Sequence, residues 1–258
     1  MEENFENGSN VNMSEEEIEH LFENQEALDL DSILDKCDSD IFEELHYSEN
    51  GKYCVPIYAG ENGSIFRGSG VIVGNYLITA AHVAQTEPDK FHRKDNYSAL
   101  YFRFEGKMQK IGDSQCVHDG RGYHLHCENY DDLIVYQLDG IKSPFVLYNG
   151  RPKVSLKLAA FFYYKKTNIE TVNDVCKVTS SEVICKERSI HWKNCFQISQ
   201  NSGNSIIRPG NSGGPVFRND VVYGILIKDN VVGTVGTVID SQYIQKCIDE
   251  AESKNKNS

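Results

Sequence analysis

From Tyr53 to about Asp240 the apolar positions come in short runs rich in Val, Ile, Tyr and Phe, and Gly, Asn and Asp separate each run from the next. Runs of that length broken by turn formers predict β-strands. The candidates are residues 53–58, 70–79, 100–104, 133–138, 153–163, 175–184, 221–227 and 231–239. Many short strands at close spacing predict a barrel or a sandwich. Both ends depart from that pattern. Over residues 241–253, Tyr243, Ile244, Cys247, Ile248 and Ala251 recur at spacings of one, three, one and three, which predicts a closing amphipathic helix. Ahead of the strands, Ser14 and Glu17 have the spacing of a capping box, and Ile18, Leu21, Phe22, Leu28, Ile33 and Leu34 recur at roughly helical spacing. One or two helices are expected there. The chain thus reads as an extension over 1–50, a β domain over 51–252 closed by a helix at 241–252, and a polar tail at 253–258.

Charge sharpens the first boundary. Residues 1–50 hold 17 acidic side chains and one basic one, a net −16, while the remaining residues hold 21 acids and 25 bases, a net +4. Such a block is ordinarily a solvated acidic extension. The alternative is a regulatory segment that docks on the basic remainder or recruits a partner. The overall charge of −12 argues against nonspecific nucleic-acid binding. No apolar run approaches the roughly 20 residues of a membrane helix, so no membrane span is expected. The first residues lack the basic and apolar regions of a secretory signal, and a cytoplasmic location is the expectation. Eight cysteines in 258 residues fall well below the density of a disulfide scaffold and read mostly as reduced thiols.

The most specific segment is Arg208-Pro209-Gly210-Asn211-Ser212-Gly213-Gly214-Pro215. Three glycines around one serine suggest a bent backbone that exposes a hydroxyl beside N–H groups, which suits a nucleophile next to an oxyanion hole. The bland alternative is a tight Gly-Pro turn with an incidental serine. The segment also fits the G-x-S-x-G elbow of α/β-hydrolases, but those need a histidine after the serine and none follows Ser212. The base must therefore come from His20, His46, His82, His92, His118, His124, His126 or His191. Only His82 ends a strongly apolar strand, Tyr76 to Ala81, whose last two small residues leave room for a ring. A carboxylate that orients the imidazole is best supplied by Asp132, where Tyr130-Asp131-Asp132 turns abruptly into Leu133-Ile134-Val135-Tyr136. Asp131 is the fallback, on the opposite face of the strand.

In that order, L-I-T-A-A-H-V, D-D-L-I-V-Y and P-G-N-S-G-G-P, spaced by 50 and 80 residues, resemble the chymotrypsin-like serine proteases over about residues 51–252. The resemblance implies an all-β fold of two packed six-stranded antiparallel β-barrels, the first over about 51–147 and the second over about 148–240, with the site between them. It implies a serine endopeptidase in which Ser212 attacks, His82 moves the proton, Asp132 orients His82, and the N–H groups of Gly210 and Ser212 bind the oxyanion. The substrate is then a protein or peptide, and neither cofactor nor metal is called for. The pocket for the residue before the scissile bond would be lined by Ile206 and Ile207 and by Ile225, Leu226 and Ile227, suiting a small or medium apolar side chain.

Departures from the family pattern narrow the expectation. Asn211 stands where trypsin-like members carry the aspartate that pairs with a freed N-terminus, and Val83 stands where secreted members carry a cysteine. The motif forms look more like HtrA-type and some viral proteases than digestive ones. Two alternatives stay open: a catalytically silent binding module on the same fold, and a protease released from a viral polyprotein. Cys116, His118, His124, His126 and Cys127 could donate to zinc, but their spacing matches no common finger, and a histidine-rich surface loop is the simpler reading.

Overall fold

The computed structural model describes residues 49–84, 100–120, 131–165, 169–185, 190–200, 210–229 and 235–256. The helices expected in the acidic extension lie outside the described residues. The first sheet contains β1 (Cys54–Ala59), β2 (Ile65–Val73), β3 (Tyr76–Ala80), β4 (Leu100–Phe104), β5 (Lys107–Ile111), β6 (Cys116–Asp119) and β7 (Leu133–Gln137). Its order is β5-β4-β1-β2-β3-β7-β6, antiparallel throughout. Among the described residues no pairing joins β5 to β6, so this sheet curls without closing.

The second sheet follows β8 (Val146–Leu147). Its strands are β9 (Lys157–Lys165), β10 (Ile169–Ser180), β13 (Cys195–Gln200), β14 (Pro215–Arg218), β15 (Val221–Asp229) and β16 (Val235–Asp240). They run β14-β9-β10-β13-β16-β15, and the β14–β15 pairing closes them into a six-stranded barrel. Strand β8 adds to β15 in parallel, and β11 (Val183–Cys185) forms a separate hairpin with β12 (Ile190–Trp192).

The all-β class with a terminal helix is as expected, and the strand boundaries differ where a turn hides inside an apolar run. Residues 70–79 are two strands, because Gly74 turns the chain with a φ of 55° between β2 and β3. Period-2 alternation fills the barrel. Leu158, Ala160, Val216, Phe196, Ile198, Leu226 and Val238 point inward to one buried cluster. Ala159, Phe217, Cys195, Ile225 and Ile239, from the same strands, join the core that runs under the first sheet. Strands buried on both faces read as continuous apolar runs, which is how residues 221–227 look in the sequence.

The closing helix, α2 (Ser241–Lys256), buries Ile244, Cys247 and Ile248 against that second core. It starts where the Asp240 carboxylate accepts the Tyr243 N–H at 2.8 Å, an N-cap bond.

Candidate active site

Strand β3 ends in a four-residue helix, α1 (Ala81–Ala84), and His82 is its second residue. The β3–β7 ladder pairs Thr79 with Ile134 and Ala80 with Leu133, so the chain just before β7 runs beside the start of α1. Ala81 N–H donates to the Asp132 carbonyl at 3.0 Å. The Asp132 side chain, buried to 3% exposure, then holds His82 twice. Its Oδ1 accepts the His82 backbone N–H at 2.9 Å, and its Oδ2 lies 2.7 Å from His82 Nδ1.

A carboxylate oxygen accepts, so in the neutral imidazole of His82 this contact favours the proton on Nδ1 and leaves the lone pair on Nε2. Burial pulls the pKa of His82 down. The charge of Asp132 and its hydrogen bond push the other way and prevail, while the Arg67 guanidinium pulls down again, so the imidazole sits above its ordinary 6.5. Arg67 also braces α1, donating from Nε to the Val83 carbonyl at 3.4 Å. Asp131 faces elsewhere: its Oδ1 lies 2.9 Å from His118 Nε2. Burial lowers the pKa of His118, but hydrogen bonds with Asp131 and Cys247 overcome this and raise it to about 10.

Ser212 arrives from the other sheet, on the turn that enters β14. Gly210 and Gly213 there have φ of 99° and 86°, in the region that disfavours other residues. The turn wedges into the first sheet. The β2–β3 ladder stops at Val71 and Ile78, and beyond it the Ser69 N–H donates to the Ser212 carbonyl at 2.9 Å. A Cβ on Gly213 would run into the Ser69 carbonyl and Thr79 Oγ1. Gly68 marks the same meeting point: a Cβ there would lie 2.9 Å from the Ser212 carbonyl oxygen and 2.8 Å from a Val83 methyl, next to His82. On its own side the turn is fixed by Gly213 N–H to the Leu226 carbonyl at 2.6 Å and Leu226 N–H to the Gly214 carbonyl at 2.9 Å.

Asp132 thus holds His82 just past the end of β3, and the turn that carries Gly210 and Ser212 meets the neighbouring strand β2 at Ser69. The remaining expectations divide. Ile225, Leu226 and Ile227 are buried in the two cores, and the Leu226 backbone meets the serine turn. Ile206 and Ile207 lie outside the described residues. So do His124, His126 and Cys127, while Cys116 and His118 lie on β6. Among the described residues no three His, Cys, Asp or Glu side chains gather to hold a metal ion.

Ser69, Thr79, Tyr163 and Arg67 were not legible as site residues. Their signal is a polar side chain at an inward position of an apolar strand, as in Leu77-Ile78-Thr79-Ala80.

No protein-family model matches the chain, and no curated protein is similar to it in sequence. Solved structures are similar to it in fold. The Rv3671c protease from M. tuberculosis in its active form aligns with a TM-score of 0.56 at 12% identity, covering 82% of this chain and 86% of that one. The serine endoprotease from Yersinia pestis aligns at 0.55 and 16% identity, covering 81% of this chain and 65% of that one. Kallikrein-related peptidase 10, in complex with Zn2+, aligns at 0.54 and 14% identity, covering 80% and 99%. The chain has the chymotrypsin-like fold.

Proposed function

We propose that the protein is a serine endopeptidase. The observation that carries the reading is the Asp132–His82 pair, closed at 2.7 Å just past the end of β3, with the Ser212 carbonyl bonded to Ser69 on the neighbouring strand β2. In this reading Ser212 Oγ attacks the scissile carbonyl as Nε2 of His82 takes its proton. The oxyanion forms against the N–H groups of Gly210 and Ser212. His82 returns the proton to the leaving amine, and water resolves the acyl-enzyme by the same route reversed. Asp132 accepts from Nδ1 and holds the imidazolium through both halves. The structural neighbours named as proteases support the same class of reaction.

The preference we propose is for a small or medium apolar residue before the cut, and the setting we propose is cytoplasmic, motivated by cysteines too sparse for a disulfide scaffold. Residues 1–50 then regulate the enzyme or dock a partner, motivated by −16 against +4. The test is incubation of the full chain with a protein-derived peptide pool, with products identified by mass spectrometry. New termini that vanish in both Ser212→Ala and His82→Ala are the expected result. A pool left intact by the wild type, or cut equally by Ser212→Ala, would overturn the proposal.

A further inference from the structure

We infer that Ser69 is a positioning residue for the serine turn, acting from the opposite sheet through its buried hydroxyl. The inference rests on the serine-peptidase reading above. Ser69 lies on β2 at 1% exposure and meets the turn at two points. Its backbone N–H donates to the Ser212 carbonyl at 2.9 Å, and its Oγ lies 3.4 Å from the Gly210 carbonyl.

The hydroxyl has one proton and two lone pairs. It accepts the Tyr163 N–H from β9 at 2.8 Å, so its single proton is left for carbonyls. Two lie within reach, those of Gly210 and Tyr163, both at 3.4 Å. The Tyr163 carbonyl also lies 3.5 Å from Asn211 Nδ2. One side chain of the first sheet thereby joins β9 and the serine turn of the second. Thr79 completes the clamp, donating from Oγ1 to the Ser69 carbonyl at 2.6 Å.

The turn needs such a clamp because Gly210 has no side chain to restrain it. Rotation about its φ and ψ is cheap, and that rotation sets the angle between the N–H of Gly210 and the N–H of Ser212. Anchoring the Gly210 carbonyl and the Ser212 carbonyl to one residue restrains both ends of that arc. The two N–H groups can then converge on a single oxygen before substrate arrives, which is what electrostatic stabilisation of an oxyanion requires. Ser69 holds the donors in place and touches no reacting atom.

The experiment uses the full chain, with wild type, Ser69→Ala and Ser69→Thr exposed to a fluorophosphonate probe. Both the fraction of chains labelled and the rate constant per labelled chain are read. We expect Ser69→Ala to label to the same final extent but about 10- to 100-fold more slowly, since small misplacement of a site costs on that order. On a peptide substrate kcat should fall with KM unchanged. The midpoint of the acid limb should not move, because the hydroxyl's described bonds go to neither His82 nor Asp132. Ser69→Thr, which keeps a hydroxyl, should recover most of the rate. If Ser69→Ala does not fold, Ser69→Cys, with its weak thiol donor, carries the same test. An unchanged rate per labelled chain, even with fewer chains labelled or a lower Tm, would reduce Ser69 to a packing role and overturn the inference alone. A wild type that takes up no probe would overturn the peptidase reading and this inference together.

Discussion

The two sheets contribute to the site in different currencies. The first, in which no described pairing joins β5 to β6, supplies a titratable pair whose geometry is set within the sheet: the β3–β7 register brings Asp132 against His82, and one carboxylate fixes the ring. The second, closed into a barrel, supplies the turn that carries Gly210 and Ser212, the proposed N–H donors and hydroxyl. Its own barrel holds that turn through the backbone of Leu226. Its outer side is held by Ser69 and Thr79 of the first sheet and by the missing Cβ of Gly213. The side-chain pair is preset by two strands of one sheet, whereas the glycine-rich turn is held from both sheets.

Removing the carboxylate breaks the first half most severely. Asp132→Asn keeps the shape of the side chain but can donate to Nδ1 and so favours the wrong tautomer. In triads of this kind the loss in kcat is about 10⁴-fold. A loss under tenfold in steady-state turnover would remove Asp132 from its role.

On the other half, Gly213→Ala pushes a methyl group into the Ser69 carbonyl and Thr79 Oγ1 at a positive φ. Unfolding by urea should show a loss of about 2 kcal/mol or more, together with loss of activity. A variant as stable and active as wild type would mean that the turn does not wedge between β2 and β3.

The pH profile sharpens the comparison with a smaller effect. His82 must be neutral to act as a base, and its pKa is raised above 6.5, so activity should fall as pH drops with a midpoint above that value. Arg67 lowers the pKa of His82, so Arg67→Gln should move the acid limb to higher pH. Asp132→Asn should move it down. The sign for stability is opposite. Protonation of His82 favours the folded state, fully so below the unfolded value, and that contribution is lost as pH rises through the folded value. An acid limb that ignores Arg67→Gln would detach Arg67 from His82.

Much of this was legible from local pattern. Leu77-Ile78-Thr79-Ala80-Ala81 announces a buried strand that delivers His82, and Asp132 stands where polar residues give way to Leu133-Ile134-Val135. Helix α2 shows in the spacing of Ile244, Cys247 and Ile248. Long-range features did not show. Strand β5, Lys-Met-Gln-Lys-Ile, has too little apolar contrast to announce itself, and its partner β4 makes it a strand. The single run over 153–163 begins four residues before β9 does, because Leu156 is buried in the barrel before the ladder starts. Ser69 sits 141 residues from Gly210, and only the packing of one sheet on the other brings the two together.

The most direct measurement is labelling of the purified full-length protein with a fluorophosphonate probe, the adduct located by peptide mass spectrometry. A single phosphonylated residue at Ser212, absent in Ser212→Ala and slowed by orders of magnitude in His82→Ala, is what the two-sheet account predicts. An adduct on another serine, or labelling that His82→Ala leaves untouched, would contradict it.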